Sequence, residues 1–170
     1  MELLIGSGYR KEKQIITIGT NKNWTQLITL DNNLECSPDI IHDLNIFPYP
    51  FEDRMFDELH AYEVLEHCGK QGDHEFFFKQ FGEFSRILKK GGMMYGSVPE
   101  YSSPWAWGDP SHTRVITAGT LSFLNREFYK QLGDTASSDF LKYLDKYNMN
   151  FSVEYTQHNS HQMFFILKNL

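Results

Sequence analysis

The sequence predicts an α/β fold: a mostly parallel sheet flanked by helices, with an antiparallel hairpin at the C-terminal end. Apolar segments that read as short strands alternate with polar turns between residues 2 and 99. Residues 72–92 have the periodicity of an amphipathic helix. Two further strand-like segments, 151–157 and 163–168, surround a polar turn. This pattern is typical of a parallel sheet with one reversed strand.

Composition indicates one soluble domain over residues 1–170. The chain is 41% apolar and 15% aromatic, so it is long and apolar enough to bury a core. Its net charge of −6 disfavours duplex nucleic acid and anionic membranes as partners. No stretch resembles a membrane span, and the N-terminus lacks the pattern of a signal peptide. Cys36 and Cys68 show no CxxC spacing, which favours a reduced, cytoplasmic location.

The first strand, residues 2–5, ends in the glycine pair of Gly6-Ser7-Gly8. Glycines at a strand end allow the backbone to approach a ligand closely, although any tight turn can use the same residues. The next segment is less regular. Residues 14–18 resemble a strand and 19–23 a loop, and no long amphipathic helix is visible.

Two acidic residues follow the next two strands. Residues 27–33 form a second strand that ends on Asp31, 23 residues after Gly8. Nucleotide-binding sheets place a carboxylate for the ribose hydroxyls at about this spacing. The alternative is that Asp31 begins an ordinary turn. Residues 38–44 predict a third short strand with Asp43 at its end.

The segment FDELHAYEVLEHCG, residues 56–69, predicts a buried strand that ends in ionisable residues. Glu63, Glu66 and His67 gather at its carboxyl end, where open α/β sheets bind ligands. Such a cluster is either the edge of an active site or part of the packing. Because the spacing of His60 and these residues matches no zinc motif, the sequence predicts no metal site.

The helix in 72–92 is the clearest in the chain. Asp73 is its expected N-cap, and an apolar stripe is expected to face the core: Phe77, Phe81, Phe84 and Leu88. Five polar residues are expected to face outward: Lys79, Gln80, Glu83, Arg86 and Lys90. Gly91-Gly92 are expected to end the helix. A strand at 93–99 should follow.

The chain after Pro99 begins with an aromatic loop, YSSPWAWGDPSHTR. Thr117 is the expected cap of a helix that runs through Leu124, with a break at Asn125. Asp139 is expected to cap a short helix over 139–147, before the closing hairpin.

Several motifs resemble the class I S-adenosylmethionine-dependent methyltransferases, in particular the compact type 11-like group with a VLEH signature. The motifs occur in order between residues 3 and 117: LLIGSGYRK, LDNN, DIIHDL, FEDRMFDELHAYEVLEH, FSRILKKGGMMYGSVP and DPSHTRVIT. The hairpin is similar to the reversed last strand of that family. The resemblance implies a Rossmann-like sheet and S-adenosylmethionine as cofactor. The helix that usually follows the glycine loop is shortened or replaced here.

The resemblance also implies roles for particular residues. Gly6 and Gly8 would lie against the methionine part of the cofactor, and Asp31 would bind the ribose hydroxyls. The residues that the resemblance places beside the adenine are Asn32, Asp43 and Leu44. Those that it places beside the sulfonium are Tyr62 and Glu63. The loop has no third glycine, so Arg10 or Lys11 is a further candidate for pairing with the methionine carboxylate.

Two histidines are candidates for a catalytic base, which methyl transfer needs only when the acceptor must lose a proton. His67 and His112 are those candidates, and the alternative for each is a purely structural bond. Glu66 is expected to hold the turn after the strand. Tyr101, Trp105 and Trp107 are candidates for contacting the acceptor, or else for covering the core.

The function that these observations favour is methyl transfer to a small-molecule or sugar-like acceptor. The alternative is a non-catalytic cofactor-binding module or a partner-dependent subunit of the same fold. Both functions are compatible with assembly into a homo-oligomer or with binding to a partner protein.

Overall fold

The computed structural model describes residues 1–14 and 21–170. In this part of the chain one sheet contains seven strands: β1 (Glu2–Ile5), β2 (Leu27–Asp31), β3 (Ile40–Ile41), β4 (Phe56–Tyr62), β5 (Leu88–Pro99), β6 (Phe151–His158) and β7 (Gln162–Asn169). Their order is β3-β2-β1-β4-β5-β7-β6, and β7 alone runs in the direction opposite to the other six strands. The predicted mostly parallel α/β sheet with a C-terminal hairpin is therefore confirmed.

Helices cover one face of the sheet. They are α1 (His74–Ile87), α2 (Pro104–Gly108), α3 (Ala118–Ser122), α4 (Arg126–Leu132) and α5 (Leu141–Lys146). All but α2 contribute side chains to the larger core cluster, for example Phe81, Leu121, Tyr129 and Leu144. Among the residues described, no helix is both long and apolar enough to cross a membrane.

Helix α1 confirms the predicted cap and the buried stripe residues Phe77, Phe81 and Phe84, but the fourth stripe residue, Leu88, belongs to β5, and two further expectations are corrected. The Asp73 carboxylate accepts a hydrogen bond from Phe76 N at 3.0 Å. Gln80 is fully buried rather than outward-facing, because its amide lies between Arg114 and the Tyr49 hydroxyl. Gly91-Gly92 do not end the helix. The helix ends at Ile87, and the next residue already pairs with β4.

Other boundaries also differ from expectation. The third strand is only two residues long rather than seven, since Asp39 instead accepts hydrogen bonds from the backbone and hydroxyl of Thr29. Helix α2 lies inside the expected aromatic loop, with Ser103 as its cap. Asn125 caps α4 instead of only interrupting a helix, and Asp139 lies within a 3₁₀ turn rather than at a cap. The expected strand at 14–18 and loop at 19–23 fall largely outside the described residues.

The opposite face of the sheet carries a second, smaller core cluster, to which no helix in the described ranges 1–14 and 21–170 contributes. Beside it lies a buried charged network, which we call the Lys13 network: Glu2, Lys13, Glu58 and His60. Lys13 Nζ lies 2.5 Å from Glu2 Oε1 and 2.8 Å from Glu58 Oε2. His60 Nε2 lies 3.0 Å from the same Glu58 oxygen. These contacts join β1 and β4 to the segment that follows the glycine loop.

The Lys13 network predicts a loss of stability in acid that depends on Glu58. The bond from His60, and then the contact with Lys13, lower the pKa of Glu58 to about 2 despite its partial burial. A carboxyl whose pKa is lowered by folding stabilises the protein above its unfolded pKa, and this contribution disappears as the pH falls towards 2. We expect Glu58→Gln to be less stable than the wild type at pH 7 and this difference to shrink, by on the order of 2 kcal/mol, between pH 5 and 2. Urea unfolding at several pH values measures the difference in unfolding free energy between the two proteins. A difference that stays constant with pH would contradict the prediction.

Gly96 in β5 allows close packing against the neighbouring strand. A Cβ atom built on Gly96 would lie 2.1 Å from Phe165 Cζ, and Phe165 is fully buried. We expect Gly96→Ala to lower the free energy of unfolding by about 1 to 3 kcal/mol, because the ring cannot move without disturbing the core. Gly108→Ala is the control, since its Cβ would meet nothing within 4 Å. Equal stability of the two variants in urea unfolding would contradict the prediction.

Candidate functional site

A cavity of about 360 Å³ opens at the carboxyl ends of β1, β2 and β4. Parallel strands that end together leave such a crevice, and ligands of open α/β sheets bind there. Seven of the residues singled out in the sequence line it: Gly6, Asp31, Asn32, Asp43, Leu44, Glu63 and His67. Residues up to about 60 positions apart in the chain therefore meet at one site.

The glycine loop forms one wall of the cavity. Gly6 and Gly8 both have positive φ angles, +58° and +50°, which favour glycine. A Cβ atom on Gly6 would lie 2.3 Å from Val64 Cγ2, so no larger residue fits there. Gly8 N donates a hydrogen bond to Asp31 Oδ2 at 2.8 Å. The loop is thereby held against the end of β2.

The acidic residues at the strand ends are held by backbone donors. Asp31 Oδ1 accepts from Asn33 N at 2.8 Å, and Asp43 Oδ1 accepts from Asn45 N at 2.9 Å. A carboxylate has about four lone-pair sites, so Asp31 can accept hydroxyl donors in addition to its two backbone bonds. Its geometry suits a ribose.

Glu63 has an unusual backbone at the end of β4. Its φ angle is +50°, a left-handed conformation that a residue with a side chain adopts rarely and that is enriched at functional sites. Its Oε1 is buried without a hydrogen-bond partner, and burial raises the pKa of its carboxyl. Glu63 contributes to the cavity wall at the end of β4.

Glu66, His67 and His112 meet beside the cavity. The two imidazole rings have centroids 4.8 Å apart, and His67 Nδ1 lies 3.2 Å from Ser111 O. Both Glu66 oxygens are buried without a partner, and burial raises the pKa of this carboxyl to about 8. The turn after β4 is held instead by the Glu66 carbonyl, which accepts from Thr113 N at 2.8 Å. The expectation that the Glu66 side chain holds this turn is therefore wrong.

Several predicted site residues do not line the cavity. Arg10 is exposed, and the buried Tyr62 hydroxyl lies 2.7 Å from His60 Nδ1 in the second cluster. The three aromatic candidates stand on or beside α2 with most of their surface exposed: Tyr101, Trp105 and Trp107. Trp107 Nε1 donates to Tyr101 O at 2.8 Å. The cofactor and acceptor roles of these residues stay predictions.

The cavity also contains residues that the sequence did not single out as site residues: Leu30, His42, Asn45, Val64 and Cys68. His42 and Asn45 flank the Asp43-Leu44 pair, so their position in the chain was a usable signal. Val64 and Cys68 carried the same signal, because they directly follow Glu63 and His67.

The comparisons with known proteins concern the fold. No family model matches the chain. No curated protein matches its sequence either. Solved structures do match: an S-adenosylmethionine-dependent methyltransferase from Clostridium acetobutylicum has a TM-score of 0.60 and 10% identity, over 98% of this chain and 82% of that one. Another from Mesorhizobium loti has a TM-score of 0.58 and 12% identity, over 98% and 90%.

A third similar structure is a complex between the Haloferax volcanii Trm112 methyltransferase activator and a putative methyltransferase, with a TM-score of 0.55 and 12% identity, over 98% of this chain and 81% of that one. Together with the strand order, these matches show that the chain has the class I S-adenosylmethionine-dependent methyltransferase fold.

Proposed function

We propose that the protein binds S-adenosylmethionine in the cavity beyond β1, β2 and β4 and transfers its methyl group to a small-molecule acceptor. One observation carries the proposal. The residues to which the sequence resemblance gives cofactor roles lie far apart in the chain, yet six of them line this single cavity: Gly6, Asp31, Asn32, Asp43, Leu44 and Glu63.

Four of these residues have a specific physical role in binding. Asp31 accepts the ribose hydroxyls, and Asp43 accepts from the adenine amino group beside the apolar Leu44. Gly6 lets the backbone approach the methionine part. The cofactor, when bound, supplies an electrophilic methyl group. The main task of the chain is then to hold the acceptor in line with that group.

The two histidines beside the cavity would handle an acceptor proton. If His67 Nδ1 donates to Ser111 O, its Nε2 carries a free lone pair that accepts a proton. His112 Nδ1 is likewise without a partner. A hydroxyl acceptor would need one of these bases, whereas a neutral amine would not.

Calorimetry with S-adenosylmethionine and with its demethylated product tests the proposal. We expect one site per chain with micromolar affinity, followed by slow formation of the demethylated product with a panel of small-molecule acceptors. Absence of binding by either compound at millimolar concentration would refute it.

A partner-dependent subunit is the second candidate function. It is supported by the likeness to a protein solved in complex with the Trm112 methyltransferase activator. Cofactor binding without product formation by the isolated chain would favour it over the first candidate. Both cysteines are buried and unpaired, which supports a reducing, cytoplasmic compartment for either function.

A further inference from the structure

We propose that Glu66, His67 and His112 form a binding site for one divalent transition-metal ion, with zinc as the best match. One potential ligand atom from each residue lies within 4.8 Å of the other two. Two imidazoles and one carboxylate are a donor set that zinc and related ions use in proteins, usually with one or more coordination positions left for other ligands. No local sequence pattern indicates this site, because His112 is 45 residues from His67.

Both imidazoles have a nitrogen that could bind a metal ion. A ligating histidine commonly donates its other ring N–H to a carbonyl or carboxylate, which fixes the ring and the tautomer. His67 Nδ1 lies 3.2 Å from Ser111 O, which leaves Nε2 free to bind an ion. His112 Nε2 lies 3.8 Å from Asp109 Oδ2, and its Nδ1 is buried without a partner. His67 therefore has one hydrogen-bonded nitrogen and one available nitrogen, whereas His112 has, among the described residues, a buried nitrogen without a partner and no hydrogen bond to the other.

The Glu66 carboxylate supplies an independent observation that points to a ligand. The residue is only 2% exposed, and neither of its oxygens has a hydrogen-bond partner. Burying a polar group without a partner costs free energy, and such groups are rare in folded proteins. An ion bound between the carboxylate and the two imidazoles would give the Glu66 oxygens the partner that they lack.

The backbone holds the two ligand-bearing segments together. Arg114 Nε donates to Leu65 O and Thr113 N donates to Glu66 O, both at 2.8 Å. Gln71 N donates to Thr113 O at 2.9 Å. Ligand atoms around a tetrahedral zinc ion lie about 3.4 Å apart, as bonds of roughly 2.1 Å require. The present separations of up to 4.8 Å exceed this value, so the side chains would have to rotate towards one another when the ion binds.

The ion would lie at the wall of the cavity, because His67 also lines it. The proposed role of the ion, which is to polarise an acceptor oxygen, rests on the proposed function. The binding of the ion does not depend on that function. While the ion is bound, His67 and His112 are ligands and not free bases. The ion would then lower the pKa of a bound acceptor hydroxyl, and the proton would be released to water.

Competition against a chromophoric zinc chelator at pH 7, on protein first treated with EDTA, tests the site. We expect one zinc ion per chain with a dissociation constant of about 1 μM or lower. His112→Ala and Glu66→Gln should each weaken binding at least about tenfold, since each removes a ligand. His161→Ala is the matched control, because this exposed histidine lies in the β6–β7 turn. Its affinity should equal that of the wild type.

Two results would overturn the inference: no saturable zinc binding below 1 mM, or binding that falls with His161→Ala and not with His112→Ala. Circular dichroism checks the fold, and His67→Ala, at an exposed ring, replaces any variant that unfolds. Cobalt(II) absorption gives a second measure, because coordination by these residues produces visible bands that the variants lose. Calorimetry with S-adenosylmethionine on the EDTA-treated protein reports cofactor binding alone. It therefore distinguishes a failure of the metal-site proposal from a failure of the proposed function.

Discussion

Lys13→Met is expected to lower the free energy of unfolding by about 3 to 5 kcal/mol. Lys13 is buried with two carboxylates within 2.8 Å of its ammonium, those of Glu2 and Glu58. Burial alone would lower the pKa of Lys13, but its hydrogen bonds to these carboxylates outweigh burial and raise that pKa. Without the ammonium, two carboxylates would remain close together with no compensating charge.

A matched control and a double variant make this prediction specific. Lys89→Met removes a lysine that pairs with Asp57 at 2.7 Å but is half-exposed, so its cost should stay below about 1 kcal/mol. Adding Glu2→Gln to Lys13→Met should recover part of the loss, because it removes one uncompensated charge. Urea unfolding measures all four proteins. Equal losses for the two lysines would contradict the buried-charge argument.

Asp31→Ala is expected to weaken binding of S-adenosylmethionine about 100-fold or more. Hydrogen bonds from hydroxyls to a charged carboxylate contribute about 1.5 to 3 kcal/mol each, and Asp31 would accept two of them. It also holds Gly8 N, so the glycine loop loses a support at the same time. Calorimetry with the cofactor or its demethylated product measures the change.

Asp31→Asn should have a smaller effect, about tenfold, because the amide keeps one acceptor oxygen but loses the charge. Asp134→Ala, at an exposed position, is the control and should bind as the wild type does. If Asp31→Ala also binds normally, the ribose role of this residue is wrong and the cavity takes a different ligand.

Local patterns predicted the elements better than their ends. The spacing of Phe77, Phe81 and Phe84 identified α1, because burial on one helical face leaves a strict period in the sequence. The end of α1 was mispredicted because Leu88 pairs with Phe56, a contact that no local rule contains. Gln80 was misplaced for a similar reason, since its partner Arg114 comes from a distant loop.

The candidate site was predictable where it depends on strand ends. The carboxyl ends of parallel strands meet at one edge of a sheet, so the sequence alone predicts that Asp31 and Glu63 lie near each other. Contacts made between distant loops leave no such pattern. His112 reaches Glu66 only because the 109–114 loop bonds to the backbone after β4, and the Lys13 network depends on the path of the chain beyond Gly8.

The position of β7 between β5 and β6 constrains the order in which the sheet assembles. Within the described residues β6 pairs only with β7, so it has no place in the sheet until β7 has been synthesised. The two strands are therefore expected to join during folding as a preformed hairpin rather than one after the other. Until that hairpin docks, the β5 edge remains open to pairing with other chains, which makes this the stage of biogenesis most exposed to aggregation.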